Sequence, residues 1–171
     1  MRRLLLLRHA KSDWPNGYED ALRPLAERGI GDAPEIGKAM AREGLVPDLA
    51  LISTAVRTQQ TWELVAPEFG KAIPSHDERE LYAASEKTLL EIAERTPDEV
   101  QTLLICAHNP GIERLARGFA KSGDADAIRR VEKKYPTCGL AVIELPIDKW
   151  KNISPPAGRL EMFLTPKILS Y

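Results

Sequence analysis

Leu4-Leu5-Leu6-Leu7-Arg8-His9 is the stretch from which the fold can be read. Four consecutive apolar residues leave no polar face, so a strand over residues 3–7 would be covered on both sides. Strands of that kind belong to parallel sheets with helices above and below. The run stops abruptly at a cation and an imidazole. A second run, Leu103-Leu104-Ile105-Cys106-Ala107-His108, has the same shape and also ends at histidine.

Outward from these two runs, strands and helices alternate. Residues 11–24 carry Pro15, Asn16 and Gly17 and read as a loop. Residues 25–43 have helical spacing, with Leu25, Ile30, Ile36 and Met40 expected to face inward. Gly29, Gly31 and Pro34 weaken its early part and suggest a break or second start near Asp32, and Gly44 ends it. A second strand is expected at 49–52, a helix at 54–66 closed by Pro67, and a short third strand at 72–74. Residues 85–94 form a helix capped by Ser85, with Leu89, Ile92 and Ala93 inward. A fourth strand at 102–107 precedes a helix at 110–121 with Pro110 in its first turn. Two late strands, 140–145 and 159–164, are joined through the loop 149–158 without a helix, which is compatible with antiparallel pairing. The alternation predicts an α/β fold of three layers, α/β/α, around a mostly parallel sheet.

Length and composition agree with one domain over residues 1–171. The net charge of −1 gives no global field to attract nucleic acid or a membrane surface, though it leaves room for a local basic pocket. Met1-Arg2-Arg3 followed by Leu4 to Leu7 resembles the start of a signal peptide, but Arg8, His9 and Lys11 cut the apolar run short. No stretch approaches the length of a membrane span, and the cytoplasm is the expected location. Cys106 and Cys138 lie in unrelated contexts without zinc-ligand spacing or a disulfide framework.

Neighbouring parallel strands bring their carboxyl ends to one rim, where α/β sheets bind ligands. Strand ends at 8–9, 53–57 and 108 can therefore gather His9, Arg8, Arg57 and His108. A neutral imidazole can attack phosphorus and divide a hard displacement into two easier ones. Guanidinium groups meet the outer phosphoryl oxygens with a planar fork of donors. Helices starting near Thr54 and Pro110 would add backbone N–H groups at the same rim. His76, after Pro74 and Ser75, has no matching partner and reads as a surface residue.

With these residues in view, the sequence resembles the histidine phosphatase superfamily. Leu7-Arg8-His9-Ala10-Lys11-Ser12 is similar to its Arg-His-Gly signature, with the Ala-Lys-Ser continuation of the SixA-type phosphohistidine phosphatase branch. Ser53-Thr54-Ala55-Val56-Arg57-Thr58-Gln59-Gln60-Thr61 resembles the family's second motif. Glu80-Leu81-Tyr82-Ala83-Ala84 and Ala107-His108-Asn109-Pro110-Gly111 resemble two further stretches of the branch.

The resemblance implies a phosphoglycerate mutase-like fold and a phosphatase that needs no metal and no organic cofactor. His9 would be the nucleophile, and Arg8, Arg57 and His108 would bind the phosphoryl group. Asn109 would hold the loop or touch phosphate. Lys11 and Ser12 would face the substrate entrance or form a solvated loop, and Trp14 and Tyr18 would pack as a lid or cap the core. Glu80 is the positional candidate for a general acid, with Asp13 behind it; the alternative is an exposed or structural carboxylate. The partner would be a histidine-phosphorylated protein. The rivals are a small phosphomonoester as substrate and a non-catalytic phosphate-binding module; a mutase would need a longer enclosing segment.

Overall fold

The computed structural model describes residues 1–169. Six strands form one sheet: β1 (Arg2–Arg8), β2 (Leu49–Ser53), β3 (Ser75–Glu78), β4 (Thr102–Ala107), β5 (Leu140–Leu145) and β6 (Arg159–Leu164). Their order is β3-β2-β4-β1-β5-β6. The first four run parallel, β5 is antiparallel to β1, and β6 is antiparallel to β5. The helices are α1 (Glu27–Arg42), α2 (Val56–Val65), α3 (Glu86–Glu94), α4 (Gly111–Phe119), α5 (Ala125–Lys133) and α6 (Pro166–Leu169).

The leucine run of β1 divides between the two faces of the sheet. Leu4 and Leu6 join one core with Leu89, Ile112, Leu115 and Phe119 of α3 and α4. Leu5 and Leu7 join the other with Ile36 and Met40 of α1 and Trp62 and Val65 of α2. Alternate side chains of a strand point to opposite faces, so one uninterrupted run serves two cores and makes the three layers.

Some boundaries differ from the sequence expectation. The third strand lies at Ser75–Glu78, not 72–74. Pro74 has no N–H to donate; its carbonyl instead accepts from Ala50 N at 2.9 Å, just ahead of the strand. β3 is an edge strand with exposed polar side chains, so no apolar pattern marks it, and His76 stays exposed on it. Helix α5 was not expected. Only Ala127 and Val131 are buried on it, and Asp124 caps it by accepting from Ala127 N at 2.9 Å. α2 starts at Val56 and α4 ends at Phe119, each tighter than its expected span.

α1 runs without a break through Pro34. Ala33, Ile36, Gly37 and Met40 form its buried stripe, whereas Ile30 points outward at 52% exposure, contrary to the inward placement. Gly29, read as a weakness, marks a close approach. A Cβ there would stand 2.2 Å from the carbonyl oxygen of Lys11. The backbone after His9 is therefore seated directly on α1, tied further by Ala26 N donating to Lys11 O at 2.9 Å. Gly31, in contrast, has nothing within 4 Å of its would-be Cβ.

These two glycines should separate cleanly. Gly29→Ala is expected to destabilise by about 1–3 kcal/mol through overpacking. Gly31→Ala should stabilise by up to about 1 kcal/mol through helix propensity. Urea midpoints of the two variants measure the difference; equal shifts of the same sign would contradict the packing described.

Candidate active site

Three strand ends build the site. β1 and β4 pair in register with Leu7 opposite Cys106 and Arg8 opposite Ala107. His9 and His108 follow one residue beyond, and their ring centroids lie 5.3 Å apart. His9 N donates to Ala107 O at 3.1 Å, continuing the ladder past the strand. β2 ends at Ser53, and α2 begins immediately afterwards with Arg57 in its first turn. α4 starts three residues after His108. The positive ends of both helices thus lie near the rim where an anion would bind.

Arg8, His9, Arg57, His108, Lys11, Ser12 and Asn109 all line a pocket of about 270 Å³. Of the expected site residues only Glu80 is not brought there. It sits in the short 3₁₀ turn Arg79–Leu81, which buries Leu81 and leaves Glu80 exposed, paired with Arg95 at 3.2 Å. Asp13 is exposed as well and caps Trp14 N at 2.9 Å. Trp14 reaches the pocket wall at 72% exposure, while Tyr18 stays outside it.

The tautomer of His9 follows from its one polar contact. Nδ1 lies 2.7 Å from the carbonyl oxygen of Ala10. A carbonyl oxygen only accepts, so Nδ1 carries the proton and Nε2 keeps its lone pair. Burial pushes the His9 pKa down to about 3, aided by His108, Arg57 and Arg8; the Ala10 contact opposes the shift. His108 falls to about 4, again chiefly by burial, then by Arg57. Its Nε2 meets Ser53 Oγ at 2.7 Å, and its Nδ1 is buried with no hydrogen-bond partner among the described residues. Both rings are therefore neutral at pH 7.

The guanidiniums are oriented from behind. Arg8 Nη1 donates to Tyr135 O at 3.0 Å, and Asn109 Nδ2 donates to the same carbonyl at 3.1 Å. Asn109 Oδ1 accepts from Glu113 N at 3.2 Å, which fixes the entry to α4. Cys138 N donates to both Arg8 O and His9 O, at 3.1 and 2.9 Å. Arg57 is buried and binds Asp20 through its backbone oxygen at 2.8 Å and Oδ2 at 3.1 Å. Arg8 Nε and Arg57 Nε are buried without partners among the described residues. Buried donors of this kind favour an oxyanion beside them.

Four polar residues of α2 tie this segment together. Thr58 Oγ1 and Gln59 Nε2 both donate to Ser53 O at 2.8 Å. Gln60 Oε1 accepts from Leu25 N at 2.8 Å, holding the loop before α1. Thr61 Oγ1 accepts from Ala10 N at 3.0 Å and donates to Arg57 O at 2.7 Å, linking the loop after His9 to α2.

Sequence reading missed Arg23 and Asp20. Arg23 is buried in the pocket wall and donates to Ser12 Oγ at 2.9 Å, Asp13 O at 3.0 Å and Asp20 Oδ1 at 3.1 Å. Its guanidinium carbon lies 3.4 Å from the centre of the Trp14 ring, a cation–π contact. Asp20 accepts from Tyr82 Oη as well as from Arg23 and Arg57, and these partners, Tyr82 first, hold its pKa near 2. No local pattern flags either residue; their roles come from how the 11–24 loop folds back over the pocket. Among the described residues, no cluster of three or more His, Cys, Asp or Glu is arranged to hold a metal ion, and no helix is long and apolar enough to cross a membrane. Both cysteines are free and buried.

The chain resembles known proteins over most of its length. The sequence model for the histidine phosphatase superfamily (branch 1) matches residues 4–143. Rv1276c of Mycobacterium tuberculosis, which has no assigned function, is 35% identical over 163 residues, covering 94% of this chain and 100% of the relative. A solved structure of a candidate phosphohistidine phosphatase SixA from Agrobacterium tumefaciens is 31% identical and superposes with a TM-score of 0.81 over 96% of this chain and 97% of its own. A second such candidate, from Nakamurella multipartitia, shares the fold with a TM-score of 0.84 at 22% identity over 96% of each chain.

Two neutral imidazoles predict a defined titration. A histidine held below its ordinary pKa of 6.5 takes up its proton later in the folded chain than in the unfolded one. The fold therefore loses the stability tied to these rings as pH falls from about 6.5, towards about 4 for His108 and about 3 for His9, and gains none from them above 6.5. The ring C–H resonances of His9 and His108 should stay at neutral-imidazole positions from about pH 8 to about pH 5 in the free protein. A midpoint near 6.5 for either ring would contradict the burial described.

Proposed function

Because this chain belongs to the histidine phosphatase superfamily, we propose that it hydrolyses phosphohistidine on a protein through a covalent phosphoryl intermediate at His9. The observation that carries this is the composition of the pocket: two neutral imidazoles and three guanidiniums, with no Asp or Glu among the lining residues. An alkyl phosphate leaves as an alkoxide and needs a proton donor. A phosphohistidine protonated on its distal ring nitrogen leaves as neutral imidazole, so the missing carboxylic acid is no handicap. The name given to the Agrobacterium tumefaciens relative supports the same substrate class.

The lone pair of His9 Nε2 attacks phosphorus while the bond from phosphorus to the substrate nitrogen breaks, its electron pair staying on the departing imidazole. Arg8 and Arg57 share the charge on the outer oxygens, and His108 stands beside them. Nδ1–H, donating to Ala10 O, steadies the positive ring that phosphorylation creates. Water then adds to phosphorus from the opposite side, the P–Nε2 bond breaks, and phosphate departs with His9 restored.

Labelling with a phosphodonor followed by an alkaline denaturing quench should place the label on His9 as an acid-labile, base-stable adduct. His9→Ala should lose turnover by at least about a thousandfold with an unchanged fold. Arg57→Ala should lose about a hundredfold, the cost of one oxyanion donor. Rapid hydrolysis of sugar or nucleotide phosphates without any of phosphohistidine would favour a small-molecule phosphomonoesterase; an active His9→Ala chain would refute the mechanism.

A further inference from the structure

A second and larger cavity lies outside the catalytic machinery. Its volume is about 640 Å³, and it sits between α1, α5, the strand end at Phe163 and α6. Among the described residues, Arg28, Arg130, Lys133, Lys134 and Lys167 line it, together with the carboxylate of Asp32. The whole chain carries a net charge of −1, so Arg28, Arg130, Lys133 and Lys134 around one opening are already a strong local departure. Arg28 faces Asp32 at 3.7 Å and Arg130 pairs with Asp126 at 2.9 Å. Lys133 and Lys134 are exposed and make no ion pair among the described residues. The cleft therefore keeps an excess of positive charge.

Thr137 joins this cleft to the phosphate pocket, because it lines both. Arg28 Nη2 reaches its hydroxyl at 3.5 Å. The connecting segment is also mechanically continuous with the clamp. Tyr135 O anchors Arg8 and Asn109, and Cys138 N binds Arg8 O and His9 O. A partner that sets its phosphohistidine on His9 has a basic groove beside it.

We propose that this cleft docks an acidic segment of the protein that carries the phosphohistidine, and so selects protein substrates by charge next to the phosphorylated residue. The claim rests on the phosphohistidine reading above. A small anion fits the cleft poorly: its two unpaired lysines are exposed, and single solvated ion pairs contribute only about 0–1 kcal/mol each. An acidic segment meets several cations together, which also accelerates encounter. The open rim, with Lys11 exposed and Trp14 at 72% exposure, leaves the two sites accessible to one macromolecule.

The test uses the full chain and two synthetic phosphohistidine peptides. One carries a run of Asp and Glu beside the phosphohistidine; in the other that run is Ser and Gln. The acidic peptide should show a kcat/KM about tenfold higher at low salt, the gain lying in KM and fading at high ionic strength. The double variant Lys133→Glu with Lys134→Glu should abolish the preference. Lys133→Ala with Lys134→Ala, which adds no charge at the end of α5, should reduce it. Both should leave p-nitrophenyl phosphate turnover unchanged. Equal turnover of the two peptides, or a preference that survives both double variants, overturns the docking claim. If neither peptide reacts while p-nitrophenyl phosphate does, the phosphohistidine reading fails by itself. The cleft is then judged by titrating the unphosphorylated acidic peptide, whose saturable binding must vanish in the charge-reversed chain; binding that persists there, or none in the wild type, overturns it. Tighter binding of a DNA oligomer of equal charge would also overturn it, in favour of nucleic acid.

Discussion

The in-register parallel pairing of β1 with β4 is the constraint on which the rest depends. With Arg8 opposite Ala107, the next residues on the two strands are His9 and His108. A slip of one residue would move each side chain to the other face of the sheet. It would also draw Arg3 or Arg8 toward the core. The leucines supply the burial that holds the strand in place, and the flanking arginines limit where it can stop. The geometry of the site is thus a by-product of where an apolar run is allowed to end.

That placement has an electrostatic consequence. Both rings are removed from water and stand among arginines, and each of these influences disfavours a proton. A nucleophilic imidazole has to be unprotonated, so this burial suits the proposed chemistry. Ala10 O adds direction by fixing which nitrogen holds the one proton. Asp20 provides a counterweight, joining Arg57, Arg23 and Tyr82 into one network at the mouth of the pocket. Its carboxylate keeps two guanidiniums aligned and limits their mutual repulsion.

The loops divide the labour differently from the strands. Residues 135–139 serve several of these contacts: Tyr135 O orients Arg8 and Asn109, Cys138 N pins the end of β1, and Thr137 stands in the wall shared by the phosphate pocket and the basic cleft. The Tyr135 hydroxyl donates to Leu6 O at 2.5 Å and accepts from Ala141 N at 3.1 Å, anchoring this segment between β1 and β5. α5, just before it, contributes little to the core but supplies Arg130 and Lys133 to the cleft.

Residue order alone determined much of this protein. Two apolar runs ending in histidine, and the motif around Arg57, were enough to expect the layered fold and the four groups that meet at its rim. Apolar burial and strand ends are local, periodic signals, and a chain shows them directly. Glu80 shows the limit: its position after the third strand suggested an acid, but a single 3₁₀ turn directs it to Arg95 and solvent. Arg23 and Asp20 had no sequence signal, since an arginine looks the same whether it ends in water or in a pocket wall. Gly29 read as a flaw in a helix until the Lys11 backbone was found against it. β3 and α5 were obscure because an edge strand and a helix with two buried residues carry almost no hydrophobic pattern. Which proton His9 holds, which carboxylate faces the arginines, and where the basic cleft opens were decided by tertiary structure, because each depends on groups brought together from distant parts of the chain.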